Sequence, residues 1–534
     1  MQLLRNLVTA AIAGICMGLA PDPYSCWILA WVGLVPLWLL TQKLKIRGAI
    51  AMGATWGFFY HGMSLFWITG IHPMTWIDGV SWWNSLAIAA AVWLIITAWG
   101  MVMSGLWAGG MAWFTPKLNV TGRVIVGCAL LCALETIWSW GPLYWTALGY
   151  TQSPHDLLLL QVSRLSGQQT LTAAIVAVNG LFAEAWLQRQ RISSKNSYRQ
   201  TFVQKARGTI AWRYAIAAGV MLAAMTIYGL WEMNPERVAA NNGRAIKSGI
   251  IQGNIPNTLK YKGTLIAVNN YTNGYEQLVK EGVEMVVTPE TAVPFLYPDP
   301  DSRRAIFDRS VANHRVFTWL GAFGHSRKPN PENAYDYTNS LFLIDGSGKI
   351  FSQFDKVRLV PIGEYIPFKA ILGTLIQRLS PLRGEVEAGA TDQLVDTPWG
   401  RFTVGICYES AYPAHFRYQT AAGGQLILTA SNNAHFTEVM TAQHFAQDVA
   451  RAVESDRWAV RATNTGYSAF IDPNGRTIWI SGINTFEYHA ETVYLRQTKT
   501  LYVQWGDWLT PLLCLIGIGM AIWQTGAWHT WQRR

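Results

Sequence analysis

Three side chains in the more polar part of the chain supply a thiol, a carboxylate and an ammonium, the groups that covalent acyl transfer needs. Cys407 follows the strand-like run 401–406, a position where nucleophiles are often presented, while Glu290 and Lys356 stand in apolar surroundings at the ends of other such runs. A thiol nucleophile needs a base and a group that stabilises the oxyanion. Their joint occurrence favours a thiol-based site, although each charged residue alone is also typical of an ion pair.

The distribution of cysteines draws attention to Cys407. The other five, at positions 16, 26, 128, 132 and 514, lie within or at the edges of apolar runs, where a small packing residue is the simplest interpretation. Between residues 233 and 506 Cys407 stands alone, so it has no disulfide partner in that part of the chain. From the residues alone, both a reactive thiol and a buried structural thiol remain open.

The chain that must position these residues has an apolar part that suits a lipid bilayer and a more polar part that suits water. Hydrophobic residues make up 51% of its 534 residues, and residues 1–187 hold only 12 of the 74 Asp, Glu, Lys and Arg. Because about 20 apolar residues cross a bilayer, the pattern predicts eight spans. They are Leu3–Ala20, Cys26–Leu40, Ala49–Gly70, Leu86–Phe114, Val124–Trp145, Gln168–Leu187, Thr209–Trp231 and Trp508–Trp528.

Positive charges in the short loops predict the orientation of these spans. Lys43, Lys45 and Arg47 follow the second span, and further Lys and Arg surround the loop after the sixth. We therefore expect both termini in the cytoplasm, and these loops beside anionic lipid explain the net charge of +10 without a nucleic-acid partner. The first apolar run also fits a cleaved signal peptide, but this leaves an odd number of spans. The predicted parts are a membrane domain at 1–232, an extracytoplasmic catalytic domain at 233–506, and a closing span with a short cytoplasmic tail at 507–534.

The predicted extracytoplasmic domain has the pattern of an α/β fold. Turn residues at 345–348 and 472–475 predict hairpins. Two segments, Tyr271–Glu281 and Ala442–Ala459, predict helices. The predicted strands are Ser248–Gln252, Met285–Thr288, Val316–Gly321, Ser340–Ile344, Phe402–Ile406, Leu426–Thr429 and Ser468–Ile471.

Glu290, Lys356 and Cys407, in this order, resemble the Glu-Lys-Cys triad of the nitrilase superfamily. The resemblance extends to its membrane-bound apolipoprotein N-acyltransferase family through TPETAVP from Thr288, LVPIGEY from Leu359 and the Cys-Tyr-Glu sequence at 407–409. It implies a multi-pass helical membrane protein of eight spans carrying an α/β nitrilase-like αββα sandwich. It also implies that Glu290 is the base, Lys356 the oxyanion stabiliser and Cys407 the nucleophile.

The same resemblance implies four supporting or substrate-binding residues. Glu364 and Glu409 are expected to orient Lys356 or the incoming amine. Tyr408 and Tyr261 are the other two, and at Tyr261 members of the family often carry Trp. The segment 431–436, Ser-Asn-Asn-Ala-His-Phe, departs from the usual Ser-Asn-Asp followed by Trp-Phe.

The implied reaction is a ping-pong transfer in the bacterial inner membrane. An acyl chain passes from a phospholipid resembling phosphatidylethanolamine to Cys407, and then to the α-amine of diacylglyceryl-cysteine on an apolipoprotein. No cofactor is inferred, because the histidines lack metal-binding spacing and no glycine-rich phosphate loop precedes a helix. A membrane-tethered amidase or hydrolase acting on small amides, and a transporter with an inactive nitrilase-like domain, remain alternatives.

One further carboxylate, Glu135, lies inside the fifth predicted span. An ionisable group is costly there and is a functional candidate by default. Pairing within the helix bundle is the other explanation, and the sequence favours it because the reaction already has its residues elsewhere.

Overall fold

The computed structural model describes residues 1–77, 79–193, 201–256, 259, 264–327, 336–366 and 385–532. The chain divides into two compact units. One comprises Met1–Phe66, Ala90–Met233 and Trp505–Arg534, and the other comprises Trp67–Ala89 and Asn234–Gln504.

The first unit is helical, and the second mixes helices with strands. Within the described ranges the α-helices are α1 Gln2–Gly18, α2 Val35–Thr41, α3 Ile46–Ser64, α4 Trp82–Phe114, α5 Val120–Trp140, α6 Leu157–Leu160, α7 Ser163–Ser166, α8 Gln168–Ser193, α9 Thr201–Glu232, α10 Pro235–Ala240, α11 Thr264–Lys280, α12 Ala305–His314, α13 Pro413–Ala421, α14 Glu438–Ser455, α15 Leu501–Trp505 and α16 Leu509–Gln532. Short 3-10 helices include Leu148–Gln152 and Cys407–Ala411.

Five helical segments in the described part of the chain are long and apolar enough to cross a membrane. They are Trp82–Lys117, Val120–Trp140, Gln168–Gln190, Trp212–Glu232 and Leu509–Gly526. They coincide with the last five predicted spans. The first three fall on α1, on the apolar stretch 27–41 and on α3, which do not reach these limits, so five of the eight predicted spans are supported. The 17 residues of α1 rise only about 26 Å.

The strands of the second unit form two mixed sheets. The strands are β1 Ala245–Gln252, β2 Met285–Val287, β3 Phe317–His325, β4 Tyr337–Ile344, β5 Ile350–Asp355, β6 Val386–Glu387, β7 Val395–Thr397, β8 Gly400–Ile406, β9 Ile427–Ser431, β10 Ala459–Thr463, β11 Ala469–Ile471, β12 Thr477–Ile480 and β13 Glu487–Tyr494. The first sheet has the order β13-β1-β2-β3-β4-β5, with β6 beside β4, and the second has the order β12-β11-β10-β9-β8-β7. β1, β2 and β3 are parallel, as are β8, β9 and β10, and β6 is parallel to β4, whereas the other neighbouring pairs are antiparallel.

Apolar side chains on the facing sides of the sheets form one core. Ile250 and Trp319 of the first sheet belong to the same buried cluster as Val404 and Val460 of the second. A second cluster joins the outer face of the first sheet to α11 and α12. Helices α13 and α14 contact the other sheet. The order of layers is therefore helix, sheet, sheet, helix, as the αββα prediction requires.

The seven predicted strands all correspond to observed strands. The two predicted hairpins are also present, since β4 pairs antiparallel with β5 and β11 with β12. The predicted helix Ala442–Ala459 was wrong at its carboxyl end, because α14 stops at Ser455 and residue 459 begins β10. The residue after α14, Asp456, adopts the left-handed conformation with φ of 53°, which ends the helix.

Much of the segment that joins α3 to α4 packs within the second unit. The indole Nε1 of Trp67 donates a hydrogen bond to Gln443 Oε1 at 3.1 Å, and its ring lies edge-on to Phe436 with centroids 5.5 Å apart. Gly70 passes so close to Thr437 that an added Cβ would collide with its Cγ2. This aromatic segment therefore holds the chain just before and within α14.

Candidate active site

The three predicted catalytic residues lie at the ends of strands from both sheets. Glu290 comes shortly after β2, Lys356 directly follows β5, and Cys407 directly follows β8. All are buried, with exposed fractions of 6%, 1% and 6% respectively. Because β2 and β5 belong to one sheet and β8 to the other, the sandwich itself brings the carboxylate, the ammonium and the thiol together.

The Lys356 ammonium binds two carboxylates. Its Nζ lies 2.9 Å from Glu290 Oε1 and 3.0 Å from Glu364 Oε1. Asn339 of β4 donates from Nδ2 to the same two oxygens, at 2.7 and 3.0 Å. Burial by itself lowers the pKa of Lys356, but Glu290, Glu364 and Cys407 raise it, and the pKa lies well above its usual value. Lys356 therefore stays positively charged.

The second oxygen of Glu290 is held by the other sheet. Its Oε2 accepts a hydrogen bond from the backbone N–H of Asn432, which directly follows β9, at 2.9 Å. Glu290 is thus fixed by an ammonium, a side-chain amide and a backbone N–H, which leaves its orientation well defined. The hydrogen bonds and the neighbouring cation offset the free-energy cost of burying a charged carboxylate.

The Cys407 thiol is kept protonated at rest. Burial, the largest cause, raises the pKa of Cys407 to about 12, and the charge of Glu290 adds to this, whereas Lys356 and the Asn432 backbone N–H act in the opposite direction. The thiolate, not the thiol, is the nucleophile. As a nucleophile Cys407 would need a base, and Glu290 is the carboxylate whose charge acts on it most strongly.

Glu409 orients backbone rather than the Lys356 ammonium. This fully buried carboxylate accepts hydrogen bonds from the N–H groups of Val357 at 2.6 Å and Arg358 at 3.0 Å through Oε1. Its Oε2 accepts from the N–H of Ile406 at 2.6 Å. Glu409 thus joins the chain following β5 to the end of β8. Of the two predicted acidic residues, Glu364 contacts the Lys356 ammonium directly. Glu409 instead binds the backbone N–H groups of the two residues that follow Lys356.

The two predicted tyrosines have different outcomes. Tyr408 is partly buried, and its hydroxyl accepts a hydrogen bond from the Tyr412 hydroxyl at 2.9 Å while the rings meet edge-on. Tyr261 lies outside the described residues. Where the structure describes the chain, no group of three or more His, Cys, Asp or Glu is arranged to hold a metal ion.

Two side chains at the site were missed by sequence reasoning. Asn339 bridges Glu290 and Glu364, and the signal was an amide inside a strand whose second half is wholly apolar. His444 of α14 places Nε2 at 2.8 Å from the carbonyl oxygen of Cys407. From its sequence His444 was considered only as a possible metal ligand, so its contact with Cys407 was not predicted.

Comparison with known proteins agrees with this geometry. Residues 13–181 match the apolipoprotein N-acyltransferase N-terminal domain, and residues 247–490 match the carbon-nitrogen hydrolase family. An apolipoprotein N-acyltransferase of Nostoc sp. is 47% identical over 515 residues, covering 95% of this chain and 97% of that protein. One from Synechocystis sp. is 41% identical, covering 94% and 97%. The chain belongs to the apolipoprotein N-acyltransferase family. The predicted family is therefore confirmed.

Solved structures are also similar to part of this chain. Nit3 of Saccharomyces cerevisiae, a member of branch 10 of the nitrilase superfamily, is 17% identical, with a TM-score of 0.37, and the match covers 49% of this chain and 93% of that one. Membership in the family, together with five apolar helices, identifies a membrane protein with a carbon-nitrogen hydrolase domain.

Proposed function

We propose that this chain transfers an acyl chain from a membrane phospholipid, through a thioester on Cys407, to the N-terminal α-amine of diacylglyceryl-cysteine on an apolipoprotein. Family membership supports the reaction class and the two general substrates, a phospholipid and a lipoprotein. The observation that supports the residue roles is the Lys356 ammonium, held by Glu290 and Glu364 beside the buried thiol. Phosphatidylethanolamine is the donor we propose.

In the first step Glu290 takes the proton of Cys407, and the thiolate attacks the ester carbonyl. A sulfur–carbon bond forms while the carbon–oxygen bond to the glycerol breaks. The Lys356 ammonium stabilises the negative charge that develops on the carbonyl oxygen. Glu290 then delivers its proton to the departing oxygen, so that lysophospholipid leaves and a neutral thioester remains.

In the second step the lipoprotein amine attacks the thioester. A nitrogen–carbon bond forms, the carbon–sulfur bond breaks, and Glu290 transfers the amine proton to the Cys407 sulfur. The same base therefore serves both half-reactions. Glu364 shares the Lys356 ammonium, so Lys356 keeps a carboxylate partner while Glu290 carries the proton.

We also propose the membrane arrangement expected from the sequence. It has eight spans, both termini in the cytoplasm, a membrane domain at 1–232, an extracytoplasmic catalytic domain at 233–506, and a closing span from 507 to 534 in the bacterial inner membrane. The positive charges of the short loops support the orientation. The apolar helices α9 and α16, on either side of the catalytic domain in sequence, support access to lipid esters.

The proposed reaction is tested by acylation without an acceptor. Purified protein mixed with phosphatidylethanolamine in detergent micelles should stop after about one equivalent of lysophospholipid, as expected of a covalent intermediate, and mass spectrometry should find the acyl mass on Cys407. A diacylated lipopeptide with a free amine should restart turnover, and its N-acetylated form should not. Continuous release of fatty acid without an amine would instead identify a hydrolase.

The Cys407→Ser variant is the matched control for that experiment. An alcohol ionises far less readily than a thiol, so the variant should fold and insert but acquire no acyl mass. Wild-type activity in a Cys407→Ala variant would contradict the proposal and favour the transporter alternative.

Reporter fusions test the proposed orientation. Fusions after Lys45 and Lys195 should report a cytoplasmic location, and a fusion at Gly346 should report an extracytoplasmic one. A cytoplasmic signal at Gly346 would overturn the proposed location of the catalytic domain.

A further inference from the structure

His444 is a buried titratable side chain that the two-step reaction does not use. It lies in the second turn of α14 and has no exposed surface. Its Nε2 lies 2.8 Å from the carbonyl oxygen of Cys407, and its Nδ1 lies 3.3 Å from Oδ1 of Asn433. One imidazole therefore contacts the backbone of the nucleophile and the segment after β9.

The protonation of the His444 ring follows from these partners. A carbonyl oxygen can only accept, so Nε2 must carry the hydrogen. Burial and the positive charges of Arg461 and Lys356 hold the pKa of His444 well below its usual value, although the bond to the Cys407 carbonyl acts the other way. The ring is therefore neutral, with its hydrogen on Nε2 and none on Nδ1.

The peptide that His444 holds is the one that follows the nucleophile. Cys407 has φ of 52°, in the left-handed region that residues other than glycine rarely adopt. Such a conformation persists only where the surroundings enforce it. Because a peptide unit is planar, a hydrogen bond that fixes the Cys407 carbonyl also fixes the direction of the Tyr408 N–H on the other side of the same plane.

We propose that His444 is a positioning residue of the acyl-transfer centre. Its Nε2–H holds the Cys407–Tyr408 peptide, and thereby sets the direction of the Cys407 thiol toward its base and of the Tyr408 N–H toward the developing oxyanion. The geometry of this inference comes from the His444 contacts, and the expected effect on the reaction rests on the proposed acyl transfer.

Two conservative substitutions separate the two nitrogens of the ring. In His444→Gln the amide nitrogen occupies nearly the position of Nε2, so the bond to the Cys407 carbonyl is kept and the contact with Asn433 is lost. In His444→Asn the side chain reaches only as far as Nδ1, so the bond to Cys407 is lost. Both variants replace the ring with an amide, and a purely structural role would make them similar. His489→Asn, a change in a partly exposed histidine of β13 that stacks on Trp479, is the control.

The experiment measures acyl-enzyme formation on the full-length protein. Intact-mass spectra taken at increasing times after mixing with phosphatidylethanolamine micelles give the maximal rate constant and the lipid concentration for half saturation. We expect His444→Asn to lower the maximal rate constant about 10- to 100-fold, the cost of misplacing reacting groups, without changing half saturation. His444→Gln and His489→Asn should remain close to wild type. Equal losses in both His444 variants, or none in either, would overturn the inference.

A second measurement needs no lipid and separates this inference from the proposed function. Iodoacetamide alkylates Cys407 directly, and at the same pH His444→Asn should speed that reaction relative to His444→Gln, because a thiol turned away from the Glu290 charge has a lower pKa. If wild-type protein acquires no acyl mass, the proposed function fails, and the alkylation rates still decide the inference. Equal alkylation rates in the two variants would refute it. Thermal unfolding of both variants should give matching midpoints, and a difference in midpoint that parallels the loss of rate would refute the positioning role.

Discussion

The two units each bury a carboxylate to the same extent in different surroundings. Glu135 of α5 and Glu290 are both 6% exposed. Glu135 accepts hydrogen bonds from the backbone N–H of Leu148 at 2.9 Å and from the Thr172 hydroxyl at 2.7 Å. Glu290 instead binds the ammonium of Lys356. Nowhere in the described chain does a Lys or Arg pair with Glu135. Equal burial therefore leaves the two carboxylates with different partners, neutral donors for Glu135 and a cation for Glu290.

The partners of each carboxylate explain the difference. The contacts of Glu135 join α5 to the chain at 148 and to α8, which holds parts of the helical unit together. Those of Glu290 bring a cation and a thiol within electrostatic reach. The general rule that an ionisable residue in a span marks a functional site is therefore outweighed for Glu135 by its neutral hydrogen bonds.

The largest contrast should appear when each carboxylate becomes an amide. Glu290→Gln removes the base and keeps the shape, so acyl-enzyme formation should slow by about 10²- to 10⁴-fold. Glu135→Gln should acylate at the wild-type rate. Time-resolved intact-mass spectrometry measures both variants, and a Glu290→Gln rate equal to wild type would show that another group takes the proton.

The same Glu290→Gln variant should change the titration of Cys407. The Glu290 charge raises the pKa of Cys407, which is about 12 in the native chain, so its removal should lower that pKa. As pH rises, iodoacetamide alkylation should therefore reach its plateau at a lower pH in the variant. More thiolate together with slower acylation in the variant would show that Glu290 acts as a base and not only through its charge. An unchanged Cys407 pKa would contradict the electrostatic effect of Glu290 on the thiol.

Glu409→Gln should cost stability through the backbone that Glu409 supports. The amide has one oxygen for three N–H donors, and each buried donor left without a partner costs about 1–3 kcal/mol. The thermal midpoint should fall. The matched control is Glu487→Gln, because Glu487 accepts its hydrogen bonds from the Gly482 N–H and the Thr485 hydroxyl where water can reach and replace them. Equal midpoints for the two variants would contradict this account.

The smallest effect concerns the stability role of Glu135. Glu135→Gln can still accept from Leu148 and donate to the Thr172 hydroxyl, so it should change the unfolding free energy by less than about 1 kcal/mol. Glu135→Leu leaves the Leu148 N–H and the Thr172 O–H without their acceptor and should cost about 1–3 kcal/mol. Thermal unfolding in detergent compares the two, and equal losses would show that the charge, rather than hydrogen bonding, matters at this position.

Periodicity and short motifs predicted the parts of the fold that depend on local pattern. The alternation and apolar content of single strands predicted seven of them, because a buried strand is visible within a few residues. The strand Ala459–Thr463 was missed, since it follows α14 after only three residues, the first of which is the left-handed Asp456.

Contacts between elements that are far apart in the sequence could not be predicted from local patterns. Glu290, Lys356 and Cys407 were predicted from their residue types and neighbours. Asn339 and His444 were not, because their partners come from other strands, and an Asn in a strand or a His in a helix has no local signature of such a contact. The direction of the Glu409 carboxylate toward backbone N–H groups is likewise a property of the folded chain.

The packing of Trp67 and Gly70 against the chain around α14 affects how this enzyme can be divided. A fragment beginning at residue 234 would lack the indole that lies against Phe436, and would present that aromatic face to water. The second unit is assembled from two separate stretches of the gene, and the first, Trp67–Ala89, runs from the residues after α3 into the beginning of α4. Insertions or fusions in that short stretch therefore alter the folded enzyme domain as directly as mutations in the domain itself.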